Sequence, residues 1–183
     1  MTIKTLFINA DKSASVKAYL PDKTAGLEYC EKRPAIIIFP GGGYEYCSDR
    51  EGEPIALQYL AAGYAAFVVT YTCNAKFPAS LMDAAYTFYK IRARADEFGV
   101  DPQKIAVLGC SAGGHLAGCL ATMWSDISIV KAIGCEADEL RPNAAVLCYP
   151  VISGVTAPHE GSFHVLLGDE ASRSDLSRIS LEN

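Results

Sequence analysis

Ser111 lies in Gly109-Cys110-Ser111-Ala112-Gly113-Gly114-His115, directly after the apolar run Lys104-Ile105-Ala106-Val107-Leu108. This order of strand, Gly-x-Ser-x-Gly and helix is a way of presenting a serine as a nucleophile. A serine held between a strand end and a helix start needs unusual backbone angles, and glycines two before and two after it remove Cβ atoms that would clash there. A second glycine motif, Phe39-Pro40-Gly41-Gly42-Gly43-Tyr44, follows the strand-like run Pro34-Ala35-Ile36-Ile37-Ile38. Three glycines after a buried strand leave backbone N–H groups bare, able to face the oxyanion that forms when a serine attacks an ester carbonyl. Removing one such donor typically costs about 3 kcal/mol of barrier. The amide of Ala112, the residue after the nucleophile, supplies the other half of the hole. Alone, Gly41 to Gly43 read equally as a flexible turn, and Gly-x-Ser-x-Gly arises often by chance. Their pairing points to ester cleavage.

The elements that must position these residues follow from hydrophobic pattern. Runs at about 3–9 and 15–20 read as an antiparallel pair, and Pro34–Phe39 reads as a buried strand. A helix starts near Arg50, because Ser48 and Glu51 have capping-box spacing and Pro54 suits a first turn. Gly63 ends that helix, and Tyr64–Tyr71 is the next buried strand. Pro78 opens a long amphipathic helix with apolar positions Leu81, Ala84, Ala85, Phe88, Ile91, Ala95 and Phe98, stopped by Gly99. A strand at 104–108, a helix from Ala112 to about Trp124, and an apolar strand Ala144–Tyr149 closed by Pro150 complete the pattern. Alternating strands and helices with nearly unbroken apolar strands describe an α/β protein, a three-layer α/β/α sandwich around a mostly parallel sheet. The chain, 1–183, reads as a single domain without internal repeats.

Half of the 183 residues are apolar, enough for one full core. A formal charge of −5, with no basic run, argues against nucleic acid or an anionic membrane as a partner and favours a small neutral ligand. The seven cysteines are odd in number and include no Cys-x-x-Cys, which speaks against a disulfide framework and a zinc site and for a reducing, cytoplasmic home. Cys110 is expected as a small core residue rather than a reactive thiol. The N-terminus carries no signal-like segment, and no window is apolar enough to span a bilayer. No metal and no cofactor is expected.

The chain resembles the α/β-hydrolase esterases of the hormone-sensitive-lipase-like and acetyl-xylan-esterase-like group. The resemblance runs through Pro40–Tyr44, Arg50–Ala56, Gly63-Tyr64, Asp101–Ala117, Arg141–Ala144, Cys148–Val151 and His159–Phe163. It implies an α/β-hydrolase fold, a serine carboxylesterase with Ser111 as nucleophile, and oxyanion donors on Gly42, Gly43 and Ala112. Relatives often carry His-Gly-Gly-Gly where this chain has Pro40, so its loop must be braced some other way. Without helices before the oxyanion loop the site should be open, which favours short acyl groups such as acetyl on a sugar. Such an ester is the expected partner.

The same resemblance implies that the triad acid and histidine follow strands beyond Tyr149, and that the chain lacks the C-terminal third of the family's domain. An exposed sheet edge is then expected, with homo-oligomer formation through it. Asp138 with His159 or His164 follows Ser111 in the right order, but His115 is expected in packing and the other two in structural or pocket-wall roles. Asp83 reads as a helix-dipole residue, Asp101 as a turn former, and Asp126, Asp169 and Asp175 as solvated. Two other functions compete. One is a catalytically inactive binding protein on the same fold. The other, a dinucleotide-binding oxidoreductase, is disfavoured because Gly-x-Gly-x-x-Gly follows neither strand.

Overall fold

A computed structural model describes residues 1–9, 12–22 and 32–182. Six strands form one sheet in the order β1-β2-β4-β3-β5-β6: β1 (Thr2–Phe7), β2 (Ser15–Leu20), β3 (Arg33–Phe39), β4 (Ala65–Thr70), β5 (Val100–Cys110) and β6 (Ala144–Cys148). β2 runs antiparallel to both β1 and β4, and β4, β3, β5 and β6 are mutually parallel. Cys30 lies outside the described residues.

Side chains alternate across the central strands, as a pleated sheet requires. Ile37, Phe39, Phe67 and Val107 enter a large core with Leu81, Phe88, Leu116 and Phe163 from the helices. Ile36, Ile38, Ala66 and Leu108 point the other way, into a smaller core with Ala56. Helix α1 (Glu53–Ala61) supplies that smaller layer. The larger layer holds α2 (Ala79–Ala93), α3 (Ala95–Phe98), α4 (Ala112–Met123), α5 (Ile127–Ile133) and α6 (Glu160–Leu167), with α7 (Arg173–Arg178) at its margin. The result is the expected α/β/α arrangement around a mostly parallel sheet.

Three expectations need correction. The long helix from Pro78 is broken at Arg94, whose φ of −108° and ψ of 24° separate α2 from α3, although Gly99 does close α3 in the left-handed region. Ser48 makes no side-chain cap: residues Asp49–Glu51 form a 3₁₀ turn, and α1 begins at Glu53 after Gly52. Asp83 does not serve the helix dipole. It sits beyond the first turn of α2, buried, and accepts the Thr72 N–H at 2.8 Å, fixing the exit of β4. Asp126 and Asp175 are exposed, as expected, and stand at the starts of α5 and α7.

Topology sets the site. From β3 the chain moves to one side for β4 and then to the other for β5, so the order reverses between β3 and β5, and ligands bind at such a point beyond the strand ends. Phe39 pairs with Gly109, which brings the turns after the two strands side by side. β6 differs from its neighbours in being exposed along its length, with Val146 and Leu147 each 39% exposed. Among the described residues, no single helix is long and apolar enough to cross a membrane.

Candidate active site

Ser111 sits at the turn between β5 and α4 with φ 53° and ψ −119°. A non-glycine residue held there costs on the order of 1–3 kcal/mol, and such strain persists only where surrounding contacts overdetermine it. Those contacts are close. A Cβ on Gly109 would lie 2.0 Å from the Gly113 carbonyl oxygen, and a Cβ on Gly113 would lie 2.0 Å from that of Phe39. The two glycines therefore permit backbone approach, while Ser111 itself takes the unusual angles.

The glycine loop stands against the turn: a Cβ on Gly41 would lie 3.0 Å from the Ser111 Cβ and 2.7 Å from the Cys110 carbonyl oxygen. Each peptide is planar, so fixing a C=O fixes the following N–H on the opposite side. The Gly41 carbonyl accepts from Ser48 N at 2.8 Å, which orients the Gly42 amide. The Gly42 carbonyl accepts from Glu45 N at 3.0 Å, which orients the Gly43 amide. The Ser111 carbonyl accepts from His115 N and Val151 N, both at 3.1 Å, which orients the Ala112 amide. That last amide opens α4 and has no acceptor within its helix. Among the described residues no acceptor is bonded to the amides of Gly42 or Gly43. Gly42, Gly43 and Ser111 line one cleft of about 320 Å³ with Tyr46, Arg50, Glu51 and His159.

The brace that Pro40 cannot provide comes from elsewhere. The buried Tyr71 hydroxyl donates to the Pro40 carbonyl at 2.7 Å. The Glu51 carboxylate accepts the Gly41 N–H at 2.7 Å through Oε2 and the Tyr149 hydroxyl at 2.9 Å through Oε1. Sequence reading placed Glu51 in a capping box. Its role in the loop had no local signal, since its partners lie ten residues before it and 98 after.

The histidines are placed as follows. His115 is buried against Tyr44, Cys119 and Phe163, and burial lowers its pKa. His159 lines the cleft, but its Nδ1 accepts from Ser162 N at 3.3 Å as the cap of α6, so the proton resides on Nε2. His164 pairs with Asp169 at 2.7 Å on the surface. Asp138 lies away from the cleft, its carbonyl bonded by Arg92. Among the described residues, no side chain is hydrogen-bonded to the Ser111 hydroxyl. Burial raises the Cys110 thiol to about 11, which keeps it neutral beside the serine. No cluster of three metal-ligating side chains occurs among the described residues. A larger cleft of about 830 Å³, lined by Lys17, Tyr19, Glu53 and Leu57, lies on the α1 side and does not include Ser111.

Comparison with known proteins places this geometry. The BD-FAE family model matches residues 18–155. The chain is 34% identical over 160 residues to endo-1,4-beta-xylanase B of Butyrivibrio fibrisolvens, covering 82% of this chain and 24% of that protein. It is 31% identical over 151 residues to the acetylxylan esterase of Xylanibacter ruminicola, covering 81% of this chain and 28% of that one. The chain thus spans about a quarter of the length of these curated relatives. Among solved structures, an acetyl ester-xyloside bifunctional hydrolase from Caldicellulosiruptor lactoaceticus superposes with a TM-score of 0.81 at 31% identity, over 98% of this chain and 68% of that one. MGS-M1, an alpha/beta hydrolase from a Medee basin deep-sea metagenome library, superposes with a TM-score of 0.72 at 44% identity, over 83% and 58%.

Proposed function

The chain belongs to the BD-FAE family, and from that premise we propose that it is a serine carboxylesterase acting on short-chain, chiefly acetyl, esters carried by carbohydrate. The observation that carries the reading is the strained Ser111 turn beside a glycine loop whose Gly42 and Gly43 line one cleft with Ser111; the Gly42, Gly43 and Ala112 amides are the donors this reading assigns to the oxyanion. In this reaction the Ser111 oxygen attacks the ester carbonyl carbon as its O–H proton passes to water, and the carbonyl π electrons move onto the oxygen facing those amides. Collapse of the intermediate breaks the bond to the alcohol oxygen, which takes a proton from water as it leaves, and the acyl-serine is then hydrolysed by water. The acetylxylan esterase among the relatives and the acetyl ester-xyloside hydrolase among the structural neighbours support acetylated sugar as the substrate class. The small, open cleft suits a short acyl group.

Among the described residues no base is hydrogen-bonded to Ser111. A serine esterase working through its oxyanion hole and binding alone falls short of a full triad by about 10⁴ to 10⁶. The same feature favours the second reading, a hydrolase-fold protein that binds the ester without turning it over. Incubation of the 183-residue chain with a fluorophosphonate, followed by intact mass and peptide mapping, separates the two. Slow single modification at Ser111, together with p-nitrophenyl acetate hydrolysis that Ser111→Ala abolishes, supports the esterase. Modification elsewhere, or hydrolysis that survives Ser111→Ala, overturns it. Binding of acetylated xylo-oligosaccharide with no chemistry at Ser111 selects the second reading.

A further inference from the structure

We propose that Glu51 is a positioning residue of the oxyanion loop, clasping the Gly41 amide on one side and the Tyr149 hydroxyl on the other, so that the Gly42 and Gly43 amides are the ones left facing Ser111. The inference rests on the esterase reading of Ser111 and adds a residue to it.

The bonds themselves make the first argument. Glu51 Oε2 holds the Gly41 N–H at 2.7 Å, so that amide is directed away from any oxyanion. The opposite edge of the same residue, its carbonyl, is held by Ser48 N at 2.8 Å. Gly41 is thus fixed on both sides, and its held carbonyl fixes the Gly42 amide of the same peptide plane. The fit is tight: a Cβ at residue 41 would lie 2.6 Å from Glu51 Oε2, so the carboxylate occupies the space a side chain would need.

Tyr149 makes the second argument. It is 67% exposed and its φ of 36° lies in the left-handed region, so burial does not explain its placement. Its hydroxyl reaches Glu51 Oε1 at 2.9 Å. Glu51 and Tyr149 therefore bridge the β3 turn and the end of β6 across the Ser111 turn between them.

Charge supplies the third. A free carboxylate beside an oxyanion would raise the energy of the intermediate. Glu51 instead directs both oxygens at donors, so its function needs acceptor oxygens rather than a negative charge. Glutamine retains an acceptor for Gly41 and offers an N–H to the Tyr149 oxygen.

The test compares Glu51→Ala, Glu51→Gln and Tyr149→Phe in the full chain. Two readouts are used: the rate of Ser111 modification by a fluorophosphonate, and the amide proton shifts and exchange rates of Gly41, Gly42 and Gly43. Glu51→Ala is expected to slow modification by about tenfold or more, since it loosens donors that individually contribute more than this. Glu51→Gln should stay within about threefold of the parent, because the acceptor is retained. The Gly41 amide should move upfield and exchange faster in Glu51→Ala and be conserved in Glu51→Gln. Equal modification rates with unmoved glycine amides in Glu51→Ala overturn the proposal. If Ser111 reacts in no variant, the esterase reading fails and the glycine amides alone decide the clasp. If Glu51→Ala does not fold, Tyr149→Phe must loosen the Gly41 amide while Glu51→Gln does not, or the proposal falls.

Discussion

Tyr44 and His115, 71 residues apart in the chain, meet at 2.7 Å in the interior, and His115 Nε2 continues the contact to the Ile179 carbonyl at 2.6 Å. A carbonyl only accepts, so Nε2 carries the proton and Nδ1 accepts from the Tyr44 hydroxyl. The glycine loop, the helix behind the nucleophile and the segment after α7 are thereby joined through one neutral imidazole.

Tyr44→Phe leaves the buried Nδ1 with only the weak Cys119 thiol, at 3.8 Å, as a donor. An unsatisfied buried acceptor costs about 1–3 kcal/mol, so the urea midpoint should fall accordingly with an unchanged m-value. An unchanged midpoint would mean that the contact contributes nothing net.

Stability should depend on pH through the same residue. Burial lowers the His115 pKa below its ordinary 6.5, so the unfolded state binds the proton more readily. The contribution is complete above 6.5 and is lost as pH falls through that value toward the lowered one of the folded state. Urea titrations across neutral and mildly acid pH check this, and His115→Gln should flatten that part of the profile.

Two glycines of α4 predict a graded series. At Gly113 a new Cβ meets backbone at 2.0 Å, and Gly113→Ala should cost about 3 kcal/mol, the upper range for overpacking. At Gly118 the nearest atom is the end of the Leu181 side chain at 2.4 Å, which can rotate aside, so Gly118→Ala should cost about 1 kcal/mol. Thermal or urea unfolding ranks the two, and the reverse order would contradict the geometry.

Much of this arrangement was legible in the sequence because it is local. Strands, the Ser111 turn and the Gly99 stop are written in neighbouring residues, and the pairing of Phe39 with Gly109 follows once β3 and β5 are adjacent. Glu51 and Asp83 were misread for the opposite reason. Ser48 and Glu51 have the spacing of a cap, yet the carboxylate finds better donors at Gly41 and Tyr149, which only the tertiary fold supplies. Asp83 likewise finds the Thr72 amide across a turn. The break at Arg94 interrupts a hydrophobic period that continues across it, so periodicity could not mark it.

The β6 edge carries the proposed self-association. Val146 and Leu147 present exposed apolar surface beside unpaired backbone, a template for a second copy. Val146→Lys should lower any concentration-dependent association seen by sedimentation velocity. A chain that is monomeric at all concentrations removes this proposal.

That same edge governs the nucleophile. The Ser111 N–H donates to the Cys148 carbonyl at 3.0 Å and its carbonyl accepts from Val151 N, so an exposed edge strand and the residues just after it hold the reactive residue on both sides. Elements with little buried surface open before the core does. Fraying of the sheet margin therefore releases the serine turn from its strained shape while the central strands remain folded. Chemistry at Ser111 becomes a gauge of the margin rather than of global folding, fading under mild denaturant before the far-ultraviolet signal of the core has changed.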